Sequence, residues 1–548
     1  MKINNKYYFF SYYLPVLISL VFAFEIFPIA KVENTSSNGF SAQRVAMDIE
    51  YISKKPHSIQ HPKERDVVRN YLSKRLKQMG AEPKIFEYDS IKCKFGGTFN
   101  IANVYAQFNP LGVTNATQYI LLVAHLDSRF YNIVLKDTVY SYGAADDGYG
   151  LGVILESIGQ AVKYRKEWKQ GVKVLFTDSE EHELDGMFNA VKNNNNLFNN
   201  VNFVINVEAR GVKGDALLFE TSPGNSAVMN LYKHAVTPRG FSLTTLVYKA
   251  MPNDTDFTLL KDSIPGLNFA VIDNLHYYHT NLDNFSNISL ESLQHYGNQI
   301  EPIIKEYLVS NKYSSPQSLK SFNDNVFFAF PLLGMFNFTH KQYSTINKIA
   351  FSAFLLLLLL YMKFSGAKFI GILKGSLYAL FFGIAALIVG EIVAYLSAMY
   401  TGLSFNIVSV KYVKYDNVIA IFSIFILLGV ISLFIKRKVK KQKYFALEFL
   451  LGTLLLLGVM SFGMFVTVFE NFFLLIPLIT SALALLLGCV NCGKFFFIIS
   501  AMLITLTMGY FLHILYIAIT IGALGIILML GALYIIIVIS QYYSYKVN

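Results

Sequence analysis

Cysteine and charge are both scarce in this chain of 548 residues. Only three cysteines occur, Cys93, Cys489 and Cys492. Cys93 stands alone before residue 346, so no disulfide can form within that stretch, whichever compartment holds it. Cys489 and Cys492 make a C-x-x-C pair without further partners, which reads as structural. Charged residues make up 15% of the chain, where a soluble protein carries about 25%. The deficit is uneven. Residues 31–345 have the composition of a soluble domain, whereas 346–548 are almost continuously apolar between short polar joints. The formal net charge of +11 does not signal nucleic acid, because much of the excess is a Lys/Arg run between hydrophobic segments.

What is present divides the chain into three parts: 1–30, 31–345 and 346–548. Tyr7 to Ala30 is apolar and long enough to cross about 30 Å of hydrocarbon as a helix. It lacks a clear small-x-small cleavage site, so it reads as an uncleaved anchor with Glu25 near its outer end. Beyond Thr345 seven more spans are expected, at about 346–363, 373–399, 416–435, 444–468, 471–489, 495–511 and 514–541, the last joint falling near Gly509 to His513. A cytoplasmic N-terminus puts 31–345 outside the cytoplasm, in a periplasm or a lumen. It also puts Lys363, Lys368, Lys374, the Lys436–Lys443 run and Lys494 inside, as the positive-inside rule asks. The outer joint Tyr400 to Asn417 carries only Lys411 and Lys414. The lipid bilayer is therefore an expected partner. The helices can serve purely as an anchor, assemble homo-oligomers, or present membrane-bound substrates. Glu391 lies deep in one span and Glu448 near a cytoplasmic end.

The 31–345 segment alternates strand and helix signals. Tyr119–Ala124, Val172–Phe176, Phe203–Val207 and Leu267–Ile272 are short β-rich runs, and Leu151–Tyr164 and Asp185–Lys192 have helical spacing. This predicts an α/β domain with a parallel or mixed sheet. Polar motifs follow the predicted strands, where open α/β sheets place their sites. They are His125-Leu126-Asp127-Ser128, Gly143-Ala144-Ala145-Asp146-Asp147-Gly148, Asp178-Ser179-Glu180-Glu181, Asn206-Val207-Glu208 and Tyr278-His279-Thr280. Imidazoles and carboxylates without thiolates suit zinc or a similar divalent ion, and can hold two if one carboxylate bridges. Successive residues leaving a strand point different ways, so one of Glu180 and Glu181 can bind metal while the other acts as a base. Asp127 is suited to hold His125 in one tautomer. His182-Glu183 opens like H-E-x-x-H, but position 186 is Gly. Asp254-Thr255-Asp256, after Pro252, fits a pocket loop or a plain turn, and Arg210 could meet an acid or a substrate carboxylate.

Taken together and in this order, the motifs resemble the zinc aminopeptidases of the aminopeptidase Y type, over roughly residues 95–300. A soluble domain followed by membrane spans is similar to the vacuolar membrane protease branch and its endoplasmic-reticulum relatives. The resemblance implies a three-layer α/β/α zinc-peptidase domain with a mixed sheet, plus an α-helical multi-pass membrane domain. It implies two zinc ions, one on His125, Asp146 and Glu208 and the other on Asp146, Glu181 and His279. Glu180 would be the general base and Tyr278 a donor to the oxyanion. Peptides would be the substrates, cut by removal of N-terminal residues. The soluble enzymes of this type often have Asp where this chain has Glu208. A single-zinc glutaminyl cyclase is the alternative in the same fold, disfavoured by Asp146-Asp147. A non-catalytic receptor or scaffold is the other alternative, disfavoured by Glu180.

Overall fold

The computed structural model describes residues 5–24, 29–92, 97–249, 253–406, 412–488 and 494–547. Glu25, Cys93, Pro252, Lys411, Cys489 and Cys492 lie outside the described residues. The chain forms two compact units. One comprises Pro28–Ala329 and Gly334–His340, the other Met1–Phe27, Phe330–Leu333 and Lys341–Asn548.

The first unit is built on strands β1 (Lys84–Lys92), β2 (Thr98–Phe108), β3 (Tyr119–His125), β4 (Tyr131–Asn132), β5 (Asp137–Thr138), β6 (Gly171–Thr177), β7 (Val201–Ala209), β8 (Leu217–Thr221) and β9 (Gly266–Val271). Seven of them make one mixed sheet in the order β1-β2-β6-β3-β7-β9-β8. The inner four, β6-β3-β7-β9, are parallel, and antiparallel strands flank them on both sides. β3 is buried along its whole length, as expected of a parallel strand covered on both faces. Its side chains alternate between two cores. Ile120, Leu122 and Ala124 join the layer containing the Ala42–Ile52, Gly148–Ala161 and Leu290–Val309 helices. Leu121 and Val123 face Met187, Ala190, Phe257 and Leu260 on the opposite side. The domain is thus a three-layer α/β/α sandwich. Strand order then places the site, because β3 lies between β6 and β7 and the three C-terminal ends emerge side by side.

Among its described residues the second unit holds Asn5–Ala23 and seven later α-helices, from His340–Phe364 to Leu524–Val547. Among the described residues five apolar stretches in it are long enough to cross a bilayer, including the near-continuous Phe495–Ser544. Tyr8–Ala23 and Phe472–Leu487 are apolar but shorter. The protein is therefore a membrane protein. The joint expected near Gly509–His513 is not there: those residues lie inside the Lys494–Ile519 helix, and the break falls at Thr520–Ala523. Gly509 serves close packing instead, since a Cβ there would sit 3.1 Å from Ala23. Several polar groups in this unit pair with one another, as a hydrocarbon surround favours. Gln541 Nε2 donates to Ser481 and Ser500, 3.0 Å to each, and Asn471 joins Tyr343, Asn347 and Ser461. Glu448 accepts the Lys368 N–H at the start of the Phe369–Thr401 helix. Glu391 packs where Gly525 leaves room, as a Cβ on Gly525 would meet its Oε1 at 2.4 Å.

Candidate metal centre

His125 ends β3, and the β3–β7 register pairs Val123 with Asn206, so two residues further on His125 and Glu208 stand level on adjacent strands. Asp146 precedes the Gly148–Ala161 helix, whose N-cap is Asp147. His125 Nε2 lies 3.2 Å from Asp146 Oδ1 and 3.6 Å from Glu208 Oε2. On the other side of Asp146, His279 Nε2 lies 3.3 Å from Oδ2 and 3.1 Å from Glu181 Oε2. Asp146 thus turns one oxygen to each group. Among the described residues these two triads, His125/Asp146/Glu208 and Asp146/Glu181/His279, are the groups of three or more whose donor atoms all approach within 4.8 Å. A tetrahedral zinc with ligands at about 2.0–2.1 Å would space them about 3.3 Å apart, so the donors are already near coordination distance.

Two donor atoms in the second triad, Glu181 Oε1 and His279 Nε2, are buried without a hydrogen bond. Buried polar atoms are ordinarily satisfied, so two orphans in one triad fit a cation held there. The electrostatics fit the same occupant. Burial raises the pKa of Glu180 well above the usual range, with Glu208, Glu181 and Asp256 adding to the effect. Burial likewise pushes Glu208 up to about 8. Burial alone would lower the His125 pKa, but Glu180, Asp127, Asp146 and Glu208 raise it well above normal. Without a cation the cluster therefore holds on to protons that a divalent ion would displace.

The remaining predicted residues take their places around this cluster. Glu180 is half-buried and, of the charged groups acting on His125, exerts the largest effect. The two glutamates do not leave β6 as extended chain, as the strand argument expects. Ser179 adopts a left-handed conformation (φ 61°) that turns the chain out of β6, and Glu180–Glu183 is a short helical turn, not extended chain. Asp127 also acts differently. Its backbone carbonyl, not its carboxylate, takes His125 Nδ1 at 2.9 Å, and the carboxylate is 3.6 Å away. That carboxylate accepts the N–H groups of Glu180 and Glu181, at 3.0 and 3.3 Å, and so caps the turn. Tyr278 is stacked on the His279 ring, with centroids 3.6 Å apart, and burial beside Asp146 and Glu181 pushes its hydroxyl pKa up. Arg210 is half-buried and acts on both Tyr278 and Tyr248. Asp254 is exposed while Asp256 is fully buried, accepting the Thr177 hydroxyl. His182 is buried beside Phe99 and belongs to neither triad.

Several residues matter that the motifs alone do not reveal. Asp178 anchors the turn through Arg65 and Arg69, at 2.7 and 2.8 Å, and through the Ala102 N–H. Arg129 donates to the Glu181 carbonyl and lies 3.2 Å from its Oε2. Asp283 accepts the N–H groups of Ala145 and Asp146, and Asp147 accepts that of His125. Asn132 holds the His279 carbonyl at 3.0 Å. Asp147 sits inside a quoted motif and Asp283 three residues past another, and an acid directly before a helix is an N-cap signal. Arg129 and Asn132 carry no signal, since their partners are distant in sequence.

A mixed-sheet α/β/α domain with histidine and carboxylate triads gathered at the C-terminal ends of its parallel strands is suited to metal-assisted chemistry. Residues 103–304 match Peptidase family M28, which supports a peptidase. Zinc dependence is general in that family. The chain is 29% identical over 221 residues to endoplasmic reticulum metallopeptidase 1 of Mus musculus, covering 39% of this chain and 23% of that protein. It is 27% identical over 262 residues to the vacuolar membrane protease of Candida tropicalis, covering 45% and 27%. It thus spans about a quarter of the curated relatives' length. A glutaminyl cyclase structure from Porphyromonas gingivalis aligns with TM-score 0.40 and 21% identity, over 49% of this chain and 99% of that one.

Proposed function

We propose that this protein is a membrane-anchored peptidase using two zinc ions to remove N-terminal residues from peptides. Residues 1–30 would be the anchor, 31–345 the catalytic domain outside the cytoplasm, and 346–548 the membrane domain. The observation that carries the reading is Asp146, which presents Oδ1 to one triad and Oδ2 to the other. A cyclase with one metal has no use for such a bridge. His125, Asp146 and Glu208 would hold one ion, and Asp146, Glu181 and His279 the second.

Bound zinc would supply Lewis acidity toward the scissile carbonyl and a water of lowered pKa. The chain's own residues do the rest. The Glu180 carboxylate takes a proton from the attacking water and returns it to the leaving amine. The Tyr278 hydroxyl donates a hydrogen bond to the carbonyl oxygen as negative charge gathers there. Asp127 keeps the Glu180–Glu181 turn rigid, so that neighbouring carboxylates serve separate tasks.

The test is a digest of a peptide library by the full-length, zinc-loaded protein in detergent, beside Glu180→Gln. Stepwise loss of N-terminal residues by the wild type alone is expected. Internal or C-terminal cleavage would refute the exopeptidase assignment, and cyclisation of N-terminal glutamine would replace it.

A further inference from the structure

One row of buried side chains runs away from the centre across the sheet. Asn206 on β7 is paired in register with Asn268 on β9, and Asn268 with Glu220 on β8. All three are fully buried. Lys261 Nζ donates to Glu220 Oε1 at 2.6 Å. Asn268 Nδ2 donates to Glu220 Oε2 at 3.2 Å and to Thr255 Oγ1 at 3.0 Å. Asn206 Nδ2 then donates to Asn268 Oδ1 at 3.0 Å and to Glu208 Oε1 at 3.1 Å. Both hydrogens on each amide are used.

The direction of this chain is fixed from its far end. An ionised carboxylate only accepts, so Glu220 forces Asn268 to turn its NH2 outward and its oxygen toward Asn206. That oxygen forces Asn206 to present its own NH2, which leaves one N–H for Glu208 Oε1. Reversing either amide would set oxygen against oxygen, or NH2 against NH2, in a buried site. Meanwhile Glu208 Oε2 faces His125 Nε2 at 3.6 Å.

Resting on the metal-centre reading, we propose that Lys261, Glu220, Asn268 and Asn206 form a positioning relay that occupies Glu208 Oε1 and makes Glu208 a one-oxygen ligand. A glutamate is a methylene longer than aspartate and free to chelate through both oxygens. The relay removes that freedom and keeps a coordination position open for water or substrate. Glu220 touches no ligand, yet its acceptor-only chemistry sets the geometry at the metal.

The test is cobalt(II) titration of the full-length protein in detergent, comparing wild type, Asn206→Leu and Glu220→Gln, with melting curves to verify folding. In Asn206→Leu the His125-containing site should bind cobalt about 10–100-fold more weakly. Its visible d–d absorption should also weaken, because a two-oxygen Glu208 raises the coordination number. Glu220→Gln keeps the side-chain size and should show the same spectral change with a smaller loss of affinity. If Asn206→Leu does not fold, Glu220→Gln carries the test. Wild-type affinity and spectrum in the folded variants would overturn the relay and leave the metal centre standing. A wild type that binds no cobalt would remove the metal centre itself.

Discussion

The two triads share Asp146 but are built by different means. His125 and Glu208 leave neighbouring parallel strands, and register alone brings them level. Glu181 and His279 come from turns, one after a left-handed Ser179 and the other itself left-handed (φ 56°). Side chains from elsewhere hold them: Arg129 on Glu181, Asn132 on the His279 carbonyl, and Asp127 under the Glu180–Glu181 turn. The charges differ too. Burial pushes the Glu208 pKa up in the strand-borne triad. In the turn-borne triad, His279 and Arg129 overcome the effect of burial and hold the Glu181 carboxyl below the usual range. Adjacent strand ends supply backbone position by register, and side-chain hydrogen bonds only orient the ligand atoms. A loop-borne ligand needs its own supports, and each support is a place where one site can be weakened alone.

The largest expected effect is at the shared residue. Asp146→Asn should empty both sites and reduce activity to background, read by metal analysis and peptide hydrolysis. Retention of one full site would mean the triads are independent. Next comes Glu180→Gln, expected to lower kcat by about 10²–10⁴-fold with zinc content unchanged. Loss of zinc would make Glu180 a ligand. Arg129→Leu should weaken only the turn-borne site, by about 10–100-fold in affinity, measured by chelator competition. Equal weakening of both sites would erase the contrast drawn above.

A further prediction is a pH slope. In the metal-free protein His125, Glu180 and Glu208 have raised pKa values, so they carry protons that the metal must displace. Affinity should therefore fall as pH falls, about tenfold per unit for each proton displaced, most steeply at the strand-borne site. Loading should also release protons, measurable by calorimetry in buffers of different ionisation enthalpy. No release between pH 6 and about 8 would contradict the buried acidic cluster.

How far the sequence could be read follows the same division. β3, β6, β7 and β9 were legible because buried parallel strands are continuous apolar runs. β1 was not, since Lys84–Lys92 mixes charge and apolar residues on a sheet edge. The residues of the triads stand in short motifs because chemistry dictates their types. Arg129 and Asn268 were illegible as participants, because their roles arise from neighbours on other strands and turns. For Glu180 and Glu181 strand geometry does not apply, since the left-handed Ser179 starts a helical turn. In the membrane unit, Gly509 looked like a break and serves instead as a close contact between helices.

The central claim is that one carboxylate, Asp146, joins two metal sites. Counting zinc per folded full-length chain by elemental analysis tests it most directly, with Asp146→Asn measured alongside. The account predicts two zinc ions per wild-type chain and none in the variant. One ion in the wild type, or an unchanged count in the variant, would contradict it.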